Sequence, residues 1–308
     1  MEITVLLFEE ILSMLLMLLL GFSLVKAGFL ASDDSRVLSV LLLYLVIPCV
    51  ILNSFQVEYS EETVKGLLWA FAAAAAIHVV LIAGTWILGR IWRLSAIEKA
   101  SVIYSNAGNL VVPIILAVLG EEWVIYSSAY ITVQLFLLWT HGKSLVSGER
   151  GANWRRILTN VNLLAGMVGL VLFLLHIRLP DVLGETVQSV SQMVAPASLF
   201  IVGMLIAGMN WKKVFLNRRA WLVTGLRMVF FPLLLVLLLR PFVRHIPLAN
   251  AETVLLVTLF AAITPPASSI TQMAQVYGKE AEYAGVINVL STLVCVATMP
   301  LAVWIYQA

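Results

Sequence analysis

Charge is scarce in this sequence: acidic and basic side chains make up 12% of its 308 residues, about half of the roughly 25% found in soluble domains. Hydrophobic side chains reach 61% where about 45–50% is ordinary, more apolar surface than a water-soluble fold of this length buries. The net charge is only +2 and no basic stretch is interleaved with aromatics, which excludes a nucleic-acid groove as the partner surface. Cysteine is nearly absent. Cys49 and Cys295 sit in separate apolar runs with no CxxC or metal-ligand spacing, so they are expected to be small apolar core residues. There is no HExxH and no GxSxG, and His78, His141, His176 and His245 are scattered over separate segments. That leaves no catalytic set for a membrane enzyme and calls for no cofactor. The opening run MEITVLLFEEILSMLLMLLLGF lacks a basic leader, carries Glu2, Glu9 and Glu10, and stays apolar longer than a signal peptide does. It is expected to be a retained first membrane helix, Glu9 and Glu10 taking an interfacial place near its outer end.

What the sequence does have is long apolar runs. Crossing a hydrocarbon core about 30 Å thick takes roughly 20 apolar residues, because each backbone N–H and C=O must be satisfied inside the segment. Windows fall near 3–25, 37–55, 64–89, 96–119, 123–141, 159–177, 187–209, 220–239, 251–275 and 281–305. The predicted fold class is therefore an all-α polytopic membrane protein of ten transmembrane helices. Lys26, Arg36, Arg90, Arg93, Lys99, Lys143, Arg150, Arg155, Arg156, Lys212, Lys213, Arg218, Arg219 and Lys279 all fall in odd-numbered connections, against Lys65, Arg178, Arg240 and Arg244 in even-numbered ones. Basic residues of short loops stay in the cytoplasm, which predicts both termini outside, in what is expected to be a bacterial inner (cell) membrane.

A polar, basic segment, 143–158, separates five helices in 1–142 from five in 159–308. Five is odd, so the second half enters the membrane from the opposite side, the condition for an inverted repeat. The prolines keep register: Pro48 and Pro113 are 65 residues apart, and their counterparts Pro196 and Pro265 are 69 apart.

Polar punctuation at mid-membrane depth marks the candidate site. In the fourth window, Ser105-Asn106-Ala107-Gly108-Asn109-Leu110-Val111-Val112-Pro113 sets two amides, a glycine and a proline within nine residues. Proline removes a donor and clashes with the preceding turn, and Gly108 frees the backbone, so an unwound stretch is expected from Asn106 to Val112. In the ninth window, Thr264-Pro265-Pro266-Ala267-Ser268-Ser269 reads as a new half-helix with Thr264 as N-cap and Pro265 at its first position. Half-helices starting at Pro113 and Pro265 would turn positive ends and unpaired N–H groups toward the membrane centre. The ligand such a place suits is a small organic anion, a carboxylate. Two structural kinks with satisfied amides are the competing reading.

Three stretches, NAGNLVVP, LLLYLVIPCVILNSF and PPASSITQMAQVYGKEAEYAGVINVLSTLVCVATMP, resemble the auxin efflux carrier family, which includes plant auxin exporters and bacterial malonate and malate permeases. The resemblance covers essentially the whole chain. It implies helices four and nine broken and crossing, a scaffold of helices 1, 2, 6 and 7, and a transport domain of helices 3–5 and 8–10. It further implies elevator-like secondary transport of a small organic anion, a dicarboxylate or an auxin-like acid, by a homodimer. Asn106, Asn109 and Pro113 match its fourth-helix motif, and Pro265 and Pro266 its ninth. The middle connection departs from the long-looped plant exporters, which carry a large insertion there.

Other polar groups inside the windows are few. Arg227, about two turns into the eighth helix, has two readings: its stem snorkels to the interface or finds a structural partner, or it lies beside the substrate path. Snorkelling predicts that Arg227→Lys keeps most transport. His78 relays protons or is a packing histidine. Tyr130 and Gln134, one turn apart, and Asn288 join the candidate substrate site, with interhelical hydrogen bonding as the plainer role. A channel-like or sensory membrane protein that binds an organic anion is the alternative function, although paired broken helices in inverted halves fit alternating access around a central site.

Overall fold

Prolines and glycines decide how these apolar runs coil and pack. The computed structural model describes residues 16–148, 159–208 and 211–307; Glu9 and Glu10 lie outside them. Among the described residues all regular structure is helical. Five helices are long and apolar enough to cross a membrane: α2 (Ser32–Ser54), α3 (Glu61–Ile91), α6 (Glu121–Ser147), α11 (Arg218–Val243) and α14 (Ala281–Gln307). Shorter apolar helices are α1 (Leu16–Lys26), α7 (Val161–Leu174) and α12 (Ala251–Ile263). The rest are α4 (Ala96–Ile103), α5 (107–118), α8 (Asp181–Ser191), α9 (Val194–Ala207), α10 (Trp211–Leu216) and α13 (Ser268–Val276). Large side chains such as Leu68, Val79, Leu237 and Trp304 are more than half exposed, as faces turned to lipid are.

Four stretches widen from α to π geometry: Leu42–Val46, Ala107–Val111, Leu138–Gly142 and Leu226–Phe230. Three of them end two residues before a proline, at Pro48, Pro113 and Pro232. A proline brings no N–H and its ring crowds the carbonyl four residues back. Widening the preceding turn relieves that crowding, so the helix continues where a break would otherwise form. This corrects the expected unwinding from Asn106 to Val112. The chain is helical again from Ala107, and the break is confined to Tyr104–Asn106.

The chain forms two compact units. One comprises Met1–Ser60, Gly108–Ser128 and Thr159–Asn210; the other comprises Glu61–Ala107, Ala129–Leu158 and Trp211–Ala308. In the first, α1 and α9 approach through glycines. A Cβ on Gly203 would stand 2.0 Å from the Leu18 carbonyl oxygen, and one on Gly21 would stand 2.4 Å from that of Phe200. With lipid as solvent, such close backbone approach is how helices gain packing energy. Gly203→Ala is therefore expected to destabilise by about 1–3 kcal/mol through overpacking. A melting curve in detergent checks this, and an unchanged midpoint would mean that the two helices do not meet so closely.

In the second unit, α12 is the core: Ala251 and every residue from Val254 to Ile263 are buried, packed against α3, α11 and α14. The entrances of three helices are tied by one acid. Glu98 forms a capping box with Ser95 at the start of α4. Its carboxylate, only 2% exposed, also accepts from Arg219 Nε at 2.7 Å, Arg219 Nη2 at 3.0 Å and the Tyr283 hydroxyl at 2.7 Å. A buried carboxylate persists only when its lone pairs are filled in this way. Cys49 and Cys295 depart from expectation: both are partly exposed rather than core residues.

Candidate functional site

Two consecutive prolines dictate the backbone at the end of α12. Each pushes the residue before it out of helical geometry, so Pro265 makes Thr264 extended and Pro266 does the same to Pro265. Thr264 accordingly closes α12 at φ −68°, ψ 162°. Its hydroxyl donates back to the Ala261 carbonyl at 3.3 Å, and the next helix begins at Ser268. The expectation of Thr264 as N-cap and Pro265 as first helical residue is thus corrected. Thr264 ends one helix, and the prolines lie in the extended link.

That link pairs with the break in the fourth window. Ser105 and Pro266 form an antiparallel bridge, in which Asn106 N–H donates to the Pro265 carbonyl at 2.7 Å and Ala267 N–H to the Tyr104 carbonyl at 2.9 Å. The register suits the chemistry: the two directly opposed residues of such a pair exchange no hydrogen bonds, so Pro266 occupies a place where no donor is needed.

The outward backbone groups of the bridge must still be satisfied. Gln134 does this for Ser105. Its Oε1 accepts from the Ser105 N–H at 2.9 Å and hydroxyl at 2.5 Å, and its Nε2 donates to the Ser105 carbonyl at 2.8 Å. Asn288 Nδ2 donates to the Pro266 carbonyl at 2.7 Å. The Tyr130 hydroxyl, on the same face of α6 as Gln134, lies 3.3 Å from Ser105 Oγ. These three residues clamp the crossover from α6 and α14.

Of the readings given for Arg227, the structure bears out a structural partner and overturns snorkelling. Arg227 is 1% exposed. Its Nε donates to the Thr264 carbonyl at 3.0 Å, Nη1 to Val102 at 2.8 Å, and Nη2 to Ala262 at 2.6 Å and Thr264 at 2.7 Å. These carbonyls belong to the last turns of α4 and α12, whose negative dipole ends meet there. The planar guanidinium neutralises both ends at once, which a stem reaching for the interface could not do.

His78 is fully buried in α3; its Nδ1 donates to the Ala74 carbonyl at 2.8 Å and its ring lies 4.8 Å from that of Tyr130. Its Nε2 is a buried atom without a partner among the described residues.

The residues named from sequence therefore separate by what they hold. Gln134, Asn288 and Arg227 bind backbone at the crossover, Tyr130 meets the Ser105 hydroxyl, and Thr264 turns its hydroxyl back onto the Ala261 carbonyl of α12. The Asn106 amide and the hydroxyls of Ser268 and Ser269 are partly exposed and make no side-chain hydrogen bond among the described residues. Ser268 and Ser269 also open α13, where the first N–H groups have no partner within the helix. Asn109 and Pro113 lie on α5 beyond Ala107, in the other unit, and their side chains are outside the described set. Sequence reasoning missed Ser105 as the centre of the pairing, and it counted Arg219 only as a loop charge. The signal for Ser105 was present, since it directly precedes Asn106 at the point where the helix fails.

A family model described as membrane transport protein matches residues 6–153 and, a second time, residues 150–305. No curated protein matches the chain.

Proposed function

Because the chain belongs to the membrane transport protein family, the auxin efflux carrier family, and meets its model twice along its length, we propose that it carries a small organic anion across a membrane by elevator-like alternating access. It is an integral membrane protein of a transporter family. The finer reading is of ten spans arranged as two inverted repeats, with the two halves of the chain supplying the two arms of the crossover.

The observation that carries the anion is the chemistry left open at the bridge. Among the described residues the Asn106 amide, the hydroxyls of Ser268 and Ser269 and the first two N–H groups of α13 have no hydrogen-bond partner, and no carboxylate lies among the residues that form or hold the bridge. Helix N-termini favour negative charge, and the buried Arg227 cation cancels the opposing carbonyl ends. A carboxylate, whose oxygens only accept, fits this set of donors. Grouping of 1–60 and 159–210 in one compact unit and of 61–107, 129–158 and 211–308 in the other supports a scaffold and a moving body, with 108–128 falling in the scaffold's unit instead of the transport domain's, and a homodimer built on the scaffold is part of the same reading.

A melting screen of the purified protein with short dicarboxylates and aromatic carboxylates tests it. At about a hundredfold excess over Kd, a true ligand stabilises by roughly 2.7 kcal/mol, whereas the corresponding amides are expected to leave the midpoint where it was. Stabilisation by neutral amides and by no carboxylate would overturn the anion reading.

A further inference from the structure

The far end of the second unit has a cavity unrelated to the crossover. It measures about 530 Å³ and is lined by the last turn of α11, the start of α12 and the end of α14. Arg240 comes from α11, Arg244 and His245 from the turn that closes it, Glu252 from α12 and Tyr306 from α14. The Tyr306 hydroxyl donates to the Glu252 backbone carbonyl at 3.2 Å, tying two walls together. Both arginines are exposed and neither has an ion-pair partner among the described residues, so the cavity presents two unneutralised guanidinium groups one helical turn apart against a single carboxylate.

The helix face beneath the arginines is apolar. Leu233, Leu237, Arg240 and Arg244 follow one another at spacings of four, three and four, which places them along one stripe of α11 that its helical C-cap Arg244 extends. Leu233 is 38% and Leu237 70% exposed. A stripe that begins as bare leucine and ends in paired arginines, on a helix apolar enough to cross a membrane, matches an amphiphile rather than a small soluble ion. Guanidinium groups bind phosphate oxygens in bidentate fashion, and basic pockets between membrane helices accept anionic headgroups. We propose that this cavity binds the phosphate headgroup of an anionic phospholipid, with an acyl chain lying along Leu237 and Leu233.

The proposal is independent of the transported substrate. Its test uses the purified full chain in a neutral detergent, titrated with short-chain phosphatidylglycerol, phosphatidylcholine of equal chain length, and inorganic phosphate. Phosphatidylglycerol is expected to bind at least tenfold more tightly than phosphatidylcholine. The double variant Arg240→Gln, Arg244→Gln should weaken it by about thirtyfold, roughly fivefold for each charge near the surface, and should melt like the parent in the absence of lipid. Single variants should each show about the fivefold step, and a double lysine variant, which keeps both charges but loses the bidentate fork, should fall between the parent and the glutamine pair. Equal binding of the two lipids, or an unchanged phosphatidylglycerol preference in the glutamine pair, would overturn the proposal. Displacement of phosphatidylglycerol by millimolar inorganic phosphate would overturn it too, since the site would then take free anions without the leucine stripe.

Discussion

Replacing Arg227 by lysine is expected to lower the melting temperature by on the order of 10 °C and to abolish transport, although the charge is conserved. The guanidinium makes four hydrogen bonds to three carbonyls that come from two helices. An ammonium is a single point with three donors on a flexible stem and cannot reach Val102, Ala262 and Thr264 together. At least one helix end would keep an unmet carbonyl beside a buried cation. Breaking a buried, fully bonded charge typically costs about 3–5 kcal/mol, and for a chain of this size each kcal/mol moves the midpoint by roughly 2–4 °C. This reverses the outcome that snorkelling would give. A lysine variant that melts and transports like the parent would mean that the cation is not what holds the crossover together.

The two places where the chain breaks were legible in the sequence because they are forced by backbone chemistry. The polar Ser105-Asn106 step just before Gly108 and the Pro265-Pro266 pair mark places where a helix does not run on smoothly at membrane depth, and the structure breaks at 104–106 and at 264–267. Where each helix resumes was misjudged for opposite reasons. Pro113 looked like a breaker, but the π turn at Ala107–Val111 absorbs it. Pro265 looked like a helix start, yet Pro266 behind it demands an extended residue. Arg227 was beyond a linear reading because its partners lie 125, 35 and 37 residues away and are backbone carbonyls, which leave no mark in side-chain pattern. Gln134 and Asn288 were found as polar residues in apolar windows, but whether they face a ligand or the backbone depends on register. Register became visible only with the bridge between Ser105 and Pro266.

The central claim is that a carboxylate is held at the crossover by neutral donors, and the Asn106→Ala variant tests it most directly. The amide makes no side-chain hydrogen bond among the described residues and is partly exposed, so its removal leaves no buried group unsatisfied and the variant should melt within a degree or two of the parent. A hydrogen bond to a charged group contributes roughly 1.5–3 kcal/mol, and affinity for the carboxylate ligand should therefore fall by about one to two decades. An amide analogue of that ligand, which lacks the charge, should bind poorly to both proteins. Affinity and melting temperature measured on the same preparations give the answer. Tenfold or greater loss of carboxylate affinity at unchanged stability is the predicted result, and a stable Asn106→Ala variant that binds the carboxylate as tightly as the parent would contradict it.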